Sequence, residues 1–143
     1  MKYLIRPAES KDSEILKELS LELGYPSTYK EIQERLIRIL NSAENNIFVS
    51  LDDQIITGWI HVFGSLRLES DPFAEIGGLV VSSNYRNKGI GKALLGEAEK
   101  WALRNGFKEI RVRSRNTRKD ARRFYEREGY SVKKVQNVFT KIL

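Results

Sequence analysis

No cysteine occurs in the 143 residues. A disulfide scaffold, a thiolate metal site and a thiol nucleophile are therefore excluded, and the absence suits a cytoplasmic protein. The single histidine, His61, excludes a histidine-rich metal site, so no metal is expected. No run approaches the roughly 20 apolar residues that a membrane span needs. The apolar start, Tyr3-Leu4-Ile5, is too short for a secretory leader. Internal repeats, low-complexity tracts and linker-like stretches are also missing, which points to one domain over residues 1–143. What is present reads as a globular chain: 41% hydrophobic and 31% charged residues. The net charge of +6 suggests an anionic ligand or partner without choosing among phosphate cofactors, nucleic acid and anionic surfaces.

The pattern of apolar residues predicts the elements in order. Residues 2–7 read as a strand stopped by Pro7. Residues 10–23 read as a helix with Ile15, Leu16, Leu19 and Leu23 on one face and Gly24 as its stop. A second helix starts at Thr28, where Thr28-x-x-Glu31 has the capping-box form, and its apolar face is Ile32, Leu36, Ile39 and Leu40. Strands at 47–51 and 54–63 are joined at Asp52-Asp53, and a third covers 73–81. A helix follows with Ile90, Leu94, Ala98, Trp101 and Ala102 on one face. Then come a strand at 107–114, a helix at 117–128 stopped by Gly129, and two short strands within 130–143. The order β-α-α-β-β-β-α-β-α-β-β is an α/β architecture with helices flanking one central mixed sheet.

The chain is organised around the junction of the third of these strands with its helix. An apolar strand runs into a polar turn, Arg86-Asn87-Lys88, and the helix then starts at Gly89-Ile90-Gly91. Free backbone N–H groups at such a helix start, with the positive end of the helix dipole, favour an anion, most often a phosphate. Gly89 and Gly91 let the backbone approach that anion because no Cβ intervenes. The turn is not the kinase-type phosphate loop, which needs four residues between its glycines. Nor is it the dinucleotide fingerprint, since Leu94 stands where a third glycine would be. Gly77-Gly78 inside the preceding strand marks a bulge, a close approach of another backbone or ligand, or a crowded sheet crossing.

The pattern Arg86-x-x-Gly89-x-Gly91 on strand–turn–helix resembles the GNAT superfamily of acyl-CoA-dependent N-acetyltransferases. A second region, Asn116-x4-Ala121-x2-Phe124-Tyr125-Glu126-x2-Gly129-Tyr130, resembles that family's second cofactor motif, and the element order is similar along essentially the whole chain. The resemblance implies a GNAT fold and acetyl-CoA as cosubstrate. It implies that Leu79, Val80 and Val81 line the pantetheine arm. The turn Arg86, Asn87, Lys88, Gly89, Ile90, Gly91 and Lys92 would hold the pyrophosphate, and Asn116 would bond the pantetheine or adenosine side. Tyr125 matches the position of the acid that protonates the leaving thiolate in many members. Glu75 matches the base-carrying segment of the histone acetyltransferase branch. Histidine often stands in the family where this chain has Arg122.

The chemistry of acetyl transfer matches this inventory. An unprotonated amine must attack the thioester, an N–H donor must meet the oxyanion, and the thiolate needs a proton. Without a cysteine to carry the acetyl group, transfer is expected to be direct, in a ternary complex. Glu75 is otherwise a polar position in a half-buried sheet, and Tyr125 a packed aromatic beside Phe124. Glu69 and Asp71 are alternative proton acceptors. His61 titrates in the right range but is more often a structural residue when alone on a strand. Trp59 and Trp101 read as core, while Tyr25 and Tyr29 flank the break that covers the acceptor site in the family. Residues 111–123 hold seven basic side chains without interleaved aromatics, which reads first as a solvated face, second as neutralising coenzyme A phosphates or an acidic acceptor, and only third as a nucleic-acid surface. The expected partner is therefore a small-molecule amine or a peptide or protein amine. Segments 24–30 and 64–73 should set the choice, no membrane is involved, and family precedent allows a homodimer. The rival is a non-catalytic module on the same fold that senses acyl-CoA or binds a polyanion.

Overall fold

The computed structural model describes residues 3–143; Lys2, the first residue of the expected opening strand, lies outside them. The chain gathers into two compact units, one up to Val112 and one from Arg113 to Leu143. The first contains strand β1 (Leu4–Pro7), helices α1 (Ser13–Glu22) and α2 (Tyr29–Leu40), and strands β2 (Asn45–Asp52), β3 (Ile55–Ser65) and β4 (Phe73–Val81). Helix α3 (Ile90–Arg104) and strand β5 (Ile110–Val112) complete it. The sheet runs in the order β1-β2-β3-β4-β5, antiparallel throughout except for the parallel pair β4–β5. The parallel pair needs a crossover, and α3 supplies it.

Each face of the sheet is closed by helices whose apolar stripe matches it. On one face Ile47, Val49 and Leu51 of β2 join Ala8, Leu16 and Leu36 in a buried cluster, with Ile32, Ile39, Ile56 and Trp59 packed around it. On the other, α3 buries Ile90, Leu94, Leu95, Ala98, Trp101 and Ala102. The helix ends are set locally. Gly24 and Gly106 take the left-handed φ of a helix stop, at +99° and +84°. The Thr28 hydroxyl accepts from Glu31 N at 3.1 Å while the Glu31 carboxylate accepts from Thr28 N at 2.8 Å, the capping box expected at this position. Leu40 departs from the expected stripe of α2 and is exposed, while Ile39 beside it packs on the cluster. The turn between β2 and β3 is Asp53-Gln54 rather than Asp52-Asp53, with Asp53 at φ +57°.

A polar contact pins the first strand to the first helix. Arg6 donates to both carboxylate oxygens of Asp12, at 2.8 and 3.0 Å, and Glu9 N donates to the same carboxylate at 2.8 Å. Burial pushes the Asp12 carboxyl up, but the Arg6 guanidinium and the Glu9 N–H outweigh it and hold the group below the usual carboxylate range.

The second unit is built on helix α4 (Lys119–Arg127). Gly129 at φ +93° stops it, and Tyr130 N donates to Tyr125 O at 2.9 Å. Residues 130–143 form no strand, against the two expected there. Their apolar side chains, among them Val135, Val138, Phe139 and Ile142, are exposed. β-Branched residues confer a tendency to pair, but a strand exists only where a ladder partner is found, and an isolated ribbon is marginal in water. The strand expected at 107–114 is likewise reduced to the three residues that pair with β4. Among the described residues no helix is long and apolar enough to cross a membrane.

Two stability tests follow from this architecture. Asp12→Asn should cost about 2–3 kcal/mol near neutral pH, because it leaves a partly buried guanidinium without its charged partner. The folded-state pKa of Asp12 is depressed, so its contribution is present above the ordinary carboxylate pKa and is lost as pH falls through the folded value. Urea midpoints of wild type and Asp12→Asn should converge on acidification from about pH 7 to about pH 3. In α3 a single chemical change should have opposite signs at two positions. Gly96 lies inside the helix, and a methyl group placed on its Cα would meet nothing within 4 Å, so Gly96→Ala should stabilise by about 0.5–1 kcal/mol. Gly89 sits at φ +82°, so Gly89→Ala should destabilise by about 1–2 kcal/mol, both read from thermal midpoints.

Candidate active site

The β3–β4 ladder slips by one residue. His61 pairs with Gly78 and Val62 with Ile76, which leaves Gly77 as the extra residue of a β-bulge. The two glycines are there because aromatic rings lie on the backbone. A Cβ on Gly77 would stand 2.5 Å from Nδ1 of His61, and one on Gly78 would stand 2.8 Å from the Trp59 ring. Of the readings open for this pair, the bulge and the crowded sheet are realised, the crowding coming from side-chain rings of β3.

Past the bulge β4 loses a neighbour. Its ladder with β5 comprises only Ala74–Ile110, Glu75–Arg111 and Ile76–Val112, whereas β4 itself continues to Val81. From residue 77 to residue 81 the edge turned away from β3 has no ladder partner among the described residues. Backbone N–H and C=O groups on such an edge are ready to pair with an extended, amide-bearing ligand. Leu79, Val80 and Val81 lie on this stretch, with Val80 buried and the other two half-buried.

The open edge leads into the glycine turn. A short 3-10 turn, Ser83–Tyr85, precedes Arg86, and Asn87 and Gly89 take positive φ values of +62° and +82°. Gly89 is the N-cap of α3, which has no side-chain cap and no acidic residue in its first turn. The N–H groups of the first turn, which includes Ile90, Gly91 and Lys92, therefore lack an intrahelical acceptor and face the positive end of a 15-residue helix. Gly89 takes a left-handed φ of +82°, which favours glycine, and a Cβ there would meet no other atom of the chain within 4 Å. The basic side chains around the turn are held loosely. Arg86 lies 3.8 Å from Glu22 and donates to Val81 O at 3.3 Å, while the Lys88 ammonium sits 5.2 Å from the centre of the Tyr85 ring. Glu22 also accepts from Ser83 N at 2.8 Å, which ties the turn to α1.

Glu75 lies on β4 two residues before the bulge and is only 8% exposed, so it is not the solvated strand carboxylate of the plain reading. It stands across the ladder from Phe63, whose ring is 5.3 Å from that of His61, so Glu75, Phe63 and His61 share one face of the sheet. On the same face a cleft of about 270 Å³ opens at the bulge, lined by Leu23, Tyr25, Ser27, Arg35, Trp59 and Gly77 among others. Trp59 Nε1 is buried there without a hydrogen-bond partner. Tyr25 and Ser27 come from the 24–30 segment expected to shape an acceptor pocket, but no residue of 64–73 lines the cleft, and Glu69 and Asp71 are exposed. Arg35, Ser27 and Ser20 carried no signal in the sequence, since polar residues on a helix or loop read as solvated surface. Trp101 is core, as expected, whereas Trp59 both packs on the core cluster and walls the cleft.

The remaining two expected residues belong to the second unit. Asn116 is exposed before α4. Tyr125 is half-buried on α4, its ring 5.1 Å from Phe124 and 5.7 Å from Tyr130, and burial pushes its phenol above the ordinary value. Among the described residues no group of three or more potential ligands is placed to hold a metal ion.

Comparison with known proteins agrees with this geometry. Residues 13–130 match the model of the acetyltransferase (GNAT) family. The chain is 29% identical over 134 residues to an uncharacterized N-acetyltransferase of Bacillus subtilis, YhdJ, covering 92% of each. A GNAT family acetyltransferase of Staphylococcus aureus superposes with a TM-score of 0.78 at 27% identity, over the whole of both chains. An aminoglycoside N-acetyltransferase, AAC(6')-Iy, solved in complex with CoA, superposes with a TM-score of 0.88 over 98% of this chain and 95% of its own. At 16% identity that likeness is one of fold. With the family model covering residues 13–130, the chain is a member of the acetyltransferase (GNAT) family.

Proposed function

We propose that the protein is an N-acetyltransferase that moves an acetyl group from acetyl-CoA directly to a primary amine within a ternary complex. The observation that carries this reading is the unpaired edge of β4 running without a break into an uncapped helix start. An extended arm bearing amides suits the backbone of Leu79, Val80 and Val81, and a pyrophosphate suits the turn from Arg86 to Lys92. Asn116 completes the proposed cofactor contacts.

Proton accounting assigns the remaining roles. An ammonium acceptor loses two protons on its way to a neutral amide; one ends on the departing sulfur and the other reaches water. Glu75 takes a proton from the amine nitrogen. Negative charge developing on the carbonyl oxygen is met by a backbone N–H beside the bulge, where the ladder no longer consumes every donor. Tyr125 protonates the thiolate, a role supported by the burial that keeps its phenol protonated through the neutral range. The cleft at the bulge receives the acceptor. Its lining includes one cation, Arg35, and no carboxylate, which suits a small amine of single positive charge better than a polycation. The aminoglycoside acceptor of the AAC(6')-Iy neighbour is therefore not carried over. The absence of cysteine supports a cytoplasmic setting.

Calorimetry with acetyl-CoA should show micromolar binding, and ligand at 100 times Kd should raise native stability by about 2.7 kcal/mol. Gly89→Glu should abolish binding. Glu75→Gln and Tyr125→Phe should retain it while lowering kcat by about 10²-fold or more, read as release of free CoA in an amine screen. No binding at millimolar acetyl-CoA would sink the reading; binding without turnover by any amine would favour the acyl-CoA sensor instead.

A further inference from the structure

The cleft at the Gly77 bulge has two unlike sides. Beside the bulge its wall is apolar. A Cβ on Gly78 would stand 2.8 Å from the Trp59 ring and 3.9 Å from Cδ2 of Leu23, and both of those side chains line the cleft. The facing wall comes from helix α2 and the loop before it, through Ser27, Ile32 and Arg35. Nη1 of Arg35 donates to Ser27 Oγ at 2.8 Å, which holds the guanidinium at the cleft. A guanidinium carries five N–H donors in a planar fork, and this is the one hydrogen bond that Arg35 makes among the described residues. Ser27 accepts in that contact, so its own hydroxyl hydrogen remains to be donated. Ser20, by contrast, spends its hydroxyl hydrogen on Leu16 O at 2.7 Å.

The charge on this wall is only loosely paired. Glu31 lies outside the cleft lining, and its Oε1 accepts from Thr28 N at 2.8 Å in the capping box. Its Oε2 is 3.7 Å from Nη2 of Arg35, beyond hydrogen-bond reach. Both side chains of this pair are exposed, and such a pair contributes little. The lining itself holds a cation and no carboxylate, so the cleft is short of one negative charge.

We propose that the acceptor is a small amine that carries its own carboxylate, with Arg35 and Ser27 as the residues that select it. The assignment rests on the acetyltransferase reading and deepens it. The fork of Arg35 takes the carboxylate in paired N–H···O bonds, and the Ser27 hydroxyl donates to it as well. The apolar body of the molecule lies against Leu23, Ile32 and Trp59, which leaves the amine at the exposed backbone of Gly77. The reversed orientation would set the ammonium against Arg35, so like-charge repulsion fixes the direction of binding. A phosphate dianion suits the site less well, because it would meet twice the repulsion from Glu31 against the same single cation. The volume of about 270 Å³ restricts the acceptor to a small molecule.

An amine screen read as release of free CoA tests this directly. Phenylalanine, leucine and γ-aminobutyrate are each compared with their own primary amide and with the amine that lacks the carboxylate: phenethylamine, isoamylamine and propylamine. At least one acid should exceed both of its counterparts by about 10–10²-fold in kcat/KM. Arg35→Gln should bring that ratio towards unity by raising KM for the acid, with kcat little changed and with the acetyl-CoA Kd and thermal midpoint as in wild type. Arg35→Lys keeps the charge but not the fork and should restore part of the ratio. Acids and amides within about twofold of each other in every set overturn the proposal while the acetyltransferase reading stands. Turnover confined to amines without a carboxylate does the same, as does a preference for the acid that survives Arg35→Gln. A protein that binds acetyl-CoA but acetylates no amine overturns the acetyltransferase reading, and the selection by Arg35 falls with it.

Discussion

One extra residue in β4 governs the site. At Gly77 the antiparallel ladder with β3 slips, and the parallel ladder with β5 ends one residue earlier, at Ile76. A bulge frees a backbone group and increases the local twist, so a strand that was paired on both sides becomes paired on one. The cost falls on side chains. Two successive residues must be glycine, because the rings of His61 and Trp59 already occupy the space that a Cβ would need. The same slip exposes the Gly77 backbone to the cleft and directs β4 onward as an open edge into the glycine turn. Edge, cleft and the candidate residues on that face are thus consequences of one irregularity in hydrogen bonding.

The charges around this frame divide into structural and available ones. Asp12 is committed: it is buried and holds three hydrogen bonds, so its ionisation is coupled to folding. Glu22 is committed as well, since it accepts from Ser83 N and faces Arg86, fixing the turn against α1. The helix start at Gly89, by contrast, has no acidic side chain to neutralise it. The basic residues of 111–123 are mostly exposed, in keeping with a solvated face.

Membership of the acetyltransferase (GNAT) family does not by itself choose the acceptor. The cofactor-type features are backbone features, and many side-chain sets can present the same edge and the same helix start. The cleft at the bulge, proposed here to receive the acceptor, draws its walls from α1, α2, the loop between them, β3 and β4. Arg35 is the cation of that lining, which holds no carboxylate. An acceptor that brings its own hydrogen-bond acceptor would satisfy it better than one that brings further cations.

What the sequence determined by itself was everything that depends on neighbours along the chain. The apolar periods of α1 and α3, the capping box at Thr28, the glycine stops at 24, 106 and 129, and the turn between β4 and α3 all rest on spacings of a few residues. Local sterics and hydrogen bonding are enough to set them. The glycine pair at 77–78 announced an irregularity without naming it. Only the tertiary structure decided which rings lay over those glycines, and that Glu75 is buried rather than solvated. Only it placed Asn45, sixteen residues away in the chain, against the ring of His61. It also decided against strands in 130–143, where the sequence carries several β-branched residues. The physical reason is common to these cases. A strand, a burial state and a side-chain contact are each defined by a partner, and partners distant in sequence are brought into place by the packing of the whole sheet.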